Sequence, residues 1–325
     1  MTNDLTSIFA GKKILITGGT GSLGQALTKR LLEIGANTIR IFSRNESKQI
    51  EMEDNIKDDR LKFFIGDVRD FHRLSKAVEG ADFVFHTAAL KHVPKIEYNP
   101  FEAIKTNVVG AQNVVDAAID SNVRNVMFVS TDKAVNPTNL YGATKLCAER
   151  MIVQGNGYSG DGGSRLSCCR YGNVVGSRGS VIPIFKQQRK NGTVTITDSR
   201  MTRFWLTLEQ GVAFVLKSIE IMQGGEIFVP KIPSMKITDL AHCIAPECDV
   251  KYIGIRQGEK LHEILISEDE ARNTIELSDS YVIRSAFNQI QSSSWGNFEP
   301  VADDFKYTSE NNPWTLSEAE LAKLV

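Results

Sequence analysis

The chain has 325 residues, 42% hydrophobic and 24% charged, with a formal net charge of −1 and a pI near 6.5. That composition buries one large core or two modest ones. No Lys/Arg block stands out, which argues against a nucleic-acid or membrane-binding surface. No apolar run reaches the roughly 18 residues of a membrane span, and the opening MTNDLTSIFAGKK has too short an apolar stretch for a signal peptide. Cys147, Cys168, Cys169, Cys243 and Cys248 are odd in number and contain no Cys-x-x-Cys pair. Buried free thiols are therefore expected rather than a disulfide framework or a metal site. A soluble, cytoplasmic protein is the expectation.

In chain order, strands are predicted at 12–18, 38–44, 61–68, 82–89, 124–131 and 165–175, with helices between them, among these 23–34, 101–120 and 141–153. Several strands are apolar almost throughout, as in a sheet covered on both faces. Strand–helix alternation on this scale predicts a doubly wound parallel sheet with right-handed crossovers. After about residue 173 the rhythm changes. A short strand is predicted at 192–197, a helix at 207–222, and a buried strand at 225–231 that can rejoin the first sheet. A helix near 237–245 and strands at 250–256, 261–267 and 281–285 suggest a smaller α/β lobe. The expected division is 1–172 with 204–233 for a Rossmann domain, and 173–203 with 234–325 for a substrate lobe.

The first strand runs into TGGTGSLG, with Gly18, Gly21 and Gly24 spaced G-x-x-G-x-x-G. At the head of a βαβ unit such a turn aims backbone N–H groups and a helix N-terminus at a pyrophosphate. Gly18, Thr20, Gly21, Ser22, Leu23 and Gly24 are the candidate contacts; a purely structural turn is the alternative. The second strand ends in Ser43 and Arg44, with Lys48 close behind. A guanidinium fork at that tip suits a 2′-phosphate, which favours NADP over NAD. Asp67 and Val68, after the third strand, sit where an adenine can lie. Ala88, Ala89 and Leu90, after the fourth, are small or apolar enough to let a cofactor pass.

The stretch VSTDKAVNPTNLYGATK at 129–145 holds the chemistry. Tyr141 and Lys145 share a helix face, and an ammonium beside a phenol favours phenolate. Such a pair removes a proton from an alcohol while hydride leaves its carbon. Thr131 is placed to orient that alcohol, and Ser130 lies beside it at the strand end.

TGGTGSLG, GDV at 66–68, AAL at 88–90, ST at 130–131 and YGATK at 141–145 together resemble the extended short-chain dehydrogenase/reductase family. In that family the commonest sugar-nucleotide dehydratases carry Thr-Asp-Glu at this strand end, where the present chain reads Thr131-Asp132-Lys133. With LKHVP at 90–94, RYGNVVGSRGSV at 170–181, MTRFW at 201–205, FVPKIPSMK at 228–236 and GEKLHE at 258–263, the chain is similar to the inverting UDP-N-acetylglucosamine 4,6-dehydratases of pseudaminic acid biosynthesis. Gln257 departs from the Pro usual before Gly-Glu-Lys.

The resemblance implies a lyase that oxidises C4 with NADP, eliminates water across C5 and C6, and returns hydride to C6. It implies Tyr141 for the C4 step, Lys133 as the C5 base and Asp132 as the acid at the C6 oxygen. Lys133 has to be neutral to act as a base, which burial beside other cations favours; a plain loop salt bridge between Asp132 and Lys133 is the alternative. For UDP-N-acetylglucosamine the candidates are Lys91, Asn173, Arg178, Arg203, Arg256 and Glu259, with Arg203 either touching substrate or packing under Trp205. A homo-oligomer, a hexamer by resemblance, is expected. The rivals are a UDP-hexose 4-epimerase, a retaining 4,6-dehydratase and a non-catalytic dinucleotide sensor.

Overall fold

The computed structural model describes residues 5–160, 162–175, 181–285, 295 and 298–324. Six parallel strands form most of the main sheet: β1 (Lys13–Thr17), β2 (Thr38–Ser43), β3 (Leu61–Ile65), β4 (Phe83–His86), β5 (Asn125–Val129) and β6 (Arg165–Cys169). Their order is β6-β5-β4-β1-β2-β3. The direction of winding therefore reverses between β1 and β4, and the crevice outside the C-terminal ends of those strands is where ligands bind in open α/β sheets. The continuous apolar runs are explained by helices on both faces: every residue of β4 is buried, and only the first of β1 and of β6 is not.

Three further strands extend the sheet beyond β6. Ile227–Pro230 pairs parallel with β6, as the apolar run at 225–231 predicted. Ser280–Ile283 pairs antiparallel with it, and Thr274–Glu276 pairs antiparallel with Ser280–Ile283. The strand expected at 281–285 thus belongs to the large sheet, not to the smaller lobe. Its buried residues Tyr281, Val282 and Ile283 complete the main core.

The smaller lobe has a core of its own, including Phe185, Trp205, Leu240, Ile244 and Leu321. Its sheets join Ser234–Lys236, Thr202–Leu206 and Asn173–Val174, and pair Asp249–Tyr252 with Thr193–Ile196. The single strand expected over 165–175 is two. β6 ends at Cys169, because Arg170 turns inward and the carbonyl of Tyr171 accepts from the Asp132 amide at 3.1 Å. Only then does the chain enter the second lobe.

The helix expected over 101–120 contains one π turn, Ile104–Val109, between Pro100–Ala103 and Gly110–Asp120. A single π turn inside an α-helix often marks a functional position. The guanidinium of Arg170, fully buried, ties three elements together. It donates to Glu149 at 3.0 and 2.7 Å, to Glu270 at 3.0 and 2.9 Å, and to the Leu265 carbonyl at 2.9 Å. No helix among the described residues is long and apolar enough to cross a membrane.

Candidate active site

The glycine loop joins β1 to the helix Ser22–Ile34. Gly18 has φ +69, and a Cβ there would lie 2.7 Å from the Ala88 backbone; a Cβ on Gly24 would lie 2.5 Å from Gly19. Side chains are therefore excluded where β1, the loop and the strand end at Ala88 come together. Gly21 caps the helix with no side-chain hydrogen bond, which leaves first-turn N–H groups free for an anion. This cradle fits the pyrophosphate of a dinucleotide.

At the β2 tip the Ser43 hydroxyl accepts from Gln49 at 3.0 Å. Arg44 is half exposed and lies 3.7 Å from Asp67. The Lys48 amide is used to cap its own helix through Asn45. Asp67 is taken by the fork of Arg69 at 2.9 and 2.6 Å, and the Val68 carbonyl accepts from Asn113 at 2.8 Å. Asn107, on the π turn, clamps the β4 end. Its oxygen accepts from the Leu90 amide at 2.8 Å, and its nitrogen donates to the Leu90 carbonyl at 2.9 Å and to Thr144 at 3.0 Å. It ties the Ala88–Leu90 passage to the helix bearing Tyr141. Sequence reasoning passed over Asn107, because an ordinary helical pattern does not reveal a π turn.

Asp132 to Ala134 form one 3-10 turn after β5, and Leu140–Gly155 is a helix capped by Asn139. Thr131, Asp132 and Lys133 meet in hydrogen bonds, and Tyr141 lies close enough to feel the charges of Asp132 and Lys133, whereas the Lys145 ammonium turns to the Val129 carbonyl. Thr131 donates to Asp132 at 2.7 Å and Lys133 Nζ donates to the same Asp132 oxygen at 3.1 Å, and the Thr131 hydroxyl acts to lower the pKa of Tyr141. Asn173, delivered by the short strand of the second lobe, accepts from Lys133 at 3.4 Å. Ser130 Oγ and Asp132 Oδ2 are buried with no partner among the described residues.

Two electrostatic expectations are corrected. Burial works against the Lys133 ammonium, but Asp132 and Glu263 outweigh it and raise its pKa above the usual lysine value. Glu263 lies 3.5 Å from Nζ. Lys133 is therefore charged here, because its nearest neighbours are anions and not the cations expected. Tyr141, too, is not tuned towards phenolate: burial pushes it up to about 12, with Lys133 opposing. The Lys145 ammonium is directed elsewhere, donating to the Val129 carbonyl at 2.7 Å and lying 3.8 Å from the Phe128 ring centre. Burial lowers Lys145 to about 7, opposed by Glu149.

Burial and Glu263 raise Asp132, whereas Glu263, equally enclosed, is held low by Lys133, Arg203 and Lys260. Divergent carboxyls in one site separate a proton donor from a permanent anion. Glu263 closes the GEKLHE segment but went unrecognised, since nothing local signals that it meets Lys133.

Arg203 and Trp205 are both buried. Arg203 donates to the carbonyls of Thr202, Leu261 and Lys260 and lies 3.6 Å from Glu259 and 3.5 Å from Glu263. It braces the site wall. Lys91, an exposed residue after β4, has its pKa lowered by desolvation and by the Lys133 charge. Arg256 is exposed, and its backbone amide donates to Glu259 at 3.4 Å. Arg178 lies outside the described residues.

A doubly wound sheet, a glycine cradle at its switch point and a Tyr-x-x-x-Lys helix beside it define a Rossmann-fold enzyme of the extended short-chain dehydrogenase/reductase type. The chain belongs to the polysaccharide biosynthesis protein family, whose sequence pattern matches residues 14–285. It is 52% identical to the UDP-N-acetylglucosamine 4,6-dehydratase (inverting) of Campylobacter jejuni, over 98% of each chain. It is 45% identical to a UDP-glucose 4-epimerase of Rickettsia conorii, covering 85% of this chain and 84% of that one. The X-ray structure of Pen from Bacillus thuringiensis is similar with a TM-score of 0.90 and 38% identity, over 97% of both chains.

Proposed function

We propose that this protein is an inverting UDP-N-acetylglucosamine 4,6-dehydratase. The observation that carries the reading is the Thr131–Asp132–Lys133 cluster within reach of Tyr141: an alcohol oxidant's tyrosine beside a separate acid and base. An epimerase, the activity named for the Rickettsia relative, needs Tyr141 and Lys145 but has no use for an acid and a base at C5 and C6.

The bound nicotinamide dinucleotide supplies the chemistry of accepting hydride from C4 and returning it to C6. Tyr141 takes the C4 hydroxyl proton as it passes its own to Thr131, and Thr131 hands one to Asp132. Asp132 becomes the acid and protonates the departing C6 hydroxyl. Once Asp132 is neutral, Lys133 loses one of its two counter-anions. It then gives its proton to water, which reaches it because 28% of its side chain is accessible. The free amine takes the C5 proton. Protonation of C5 from the opposite face, by a proton that comes from solvent, gives the L-arabino sugar. Lys91, Asn173, Arg203, Arg256 and Glu259 are proposed to surround the sugar nucleotide, and the second lobe to hold it.

The finer parts of the reading are NADP as cofactor, a cytoplasmic homo-oligomer and a place in pseudaminic acid biosynthesis. They rest on Arg44 at the β2 tip and on the resemblance of the motifs. Replacing Arg44 by Asp is expected to weaken NADP binding by about 1.5–3 kcal/mol, roughly 10- to 150-fold. Titration with NADP checks this, and unchanged affinity would remove Arg44 from the cofactor site.

The reaction itself is tested with UDP-N-acetylglucosamine as sole substrate. A 4-keto-6-deoxy sugar should accumulate while bulk NADPH absorbance stays flat, because the cofactor is recycled. Stoichiometric NADPH release would instead mark a simple dehydrogenase.

A further inference from the structure

Glu263 is the one carboxylate of the cluster to which the mechanism above gives no step. It is buried, it lies 3.5 Å from both Lys133 Nζ and Arg203 Nε, and its second oxygen has no partner among the described residues. Its backbone is fixed on both sides by Ser309: the Glu263 amide donates to the Ser309 hydroxyl at 2.9 Å, and the Ser309 amide donates to the Glu263 carbonyl at 2.9 Å. A buried anion so firmly held, with a lysine on one side and an arginine on the other, is costly unless it serves the groups it faces.

We propose that Glu263 is a positioning residue for the dehydration: it keeps the Lys133 amine in place over C5 after Asp132 has been neutralised, and it sets when that amine gives up its proton. The inference rests on the reading of Lys133 as the C5 base. In the free site Lys133 has two counter-anions, Asp132 on its own turn and Glu263 from just before the strand Ile264–Ile266. The cations whose charges act on that of Lys133 are Lys91, Arg203 and Lys260, and Tyr141 faces it from the neighbouring helix.

When Asp132 gains the relayed proton, only Glu263 still attracts Nζ. Without Glu263, the three cations would drive the amine away from Asp132 as it loses its charge. With Glu263, the ammonium is held in position and keeps its proton longer; once an N–H proton passes to water, the lone pair is left over C5. That lone pair takes the C5 proton, the C5–H electron pair forms the C5=C6 bond, and the C6–O pair leaves with the oxygen, which takes the Asp132 proton to become water.

The test is the pH profile of solvent-deuterium exchange at C5 in Glu263→Gln, beside Glu263→Asp and the native enzyme. Removing one of two anions near Nζ lowers the affinity of Lys133 for its proton. The acid-side limb of the profile should therefore move to lower pH by about 1–3 units. Exchange at the optimum should fall, while NADPH formed on the enzyme in a single turnover, which reports C4 oxidation, stays near the native amount. Glu263→Asp keeps the charge and should return the limb to its native position.

A Glu263→Gln enzyme that retains C4 oxidation and exchanges at C5 with an unmoved acid limb overturns the inference while leaving Lys133 as the base. A slower enzyme with an unmoved limb, not rescued by Asp, reduces Glu263 to packing and also overturns it. A native enzyme that exchanges nothing at C5 overturns the reading of the site and the inference with it.

Discussion

Lys133→Met should leave an enzyme that oxidises its substrate but does not dehydrate it. Methionine fills much of the same volume, and Arg203 and Lys260 still face Glu263, so the fold and the glycine cradle are expected to persist. The amine that removes the C5 proton is gone. Loss of a general base costs on the order of 10²–10⁴ in rate, and both C5 deuterium exchange and 6-deoxy product should fall by that factor. C4 oxidation depends on Tyr141 and Thr131, so NADPH should still form on the enzyme in a single turnover. Native-rate exchange in this variant would move the base to Asp132 or Tyr141, and Lys133 would be only the partner of a salt bridge.

The largest effect on stability is expected from Arg170. Its guanidinium is enclosed between Glu149 and Glu270, and Glu149 is fully buried. Arg170→Met would leave Glu149 as an uncompensated interior charge, which costs about 3–5 kcal/mol. Denaturant unfolding measures this, and replacing Glu149 by Gln in the same chain should recover part of the loss. An unchanged midpoint in the single variant would contradict the assignment.

The triad also sets a pH dependence. Burial alone would raise the Glu270 carboxyl, but Arg170 brings it below its usual value of 4.5. A depressed carboxyl contributes stability that is present above the unfolded value and lost as pH falls through the folded one. Acidification below about 4.5 should therefore narrow the stability difference between the native protein and Arg170→Met.

The parts of the fold legible in the sequence were those with a local signature. β1, β4, β5 and β6 read as continuous apolar runs because both their faces are covered, and TGGTGSLG read as a cradle because glycine spacing records a close backbone approach. The grouping of Thr131, Asp132, Lys133 and Tyr141 was equally legible, since a strand end and the next helix place them.

What was not legible depended on distant partners. Ser280–Ile283 is short and apolar in either lobe, and only its pairing with Ile227–Pro230 decides the matter. The π turn at Asn107 keeps a helical pattern throughout. The charge on Lys133 could not be read because its second counter-anion, Glu263, arrives from the far end of the chain. The state of Tyr141 is not legible for a related reason: spacing puts Lys145 on the same helix face, but the structure directs that ammonium to Val129 and Phe128.

The central claim is that one site oxidises C4, eliminates across C5 and C6, and inverts C5. It is tested most directly by NMR of the product formed from UDP-N-acetylglucosamine in deuterium oxide. The account predicts a 4-keto-6-deoxy sugar of L-arabino configuration with deuterium at C5. A 4-epimer that keeps its C6 hydroxyl, or a 4-keto-6-deoxy product with C5 configuration retained, would contradict it.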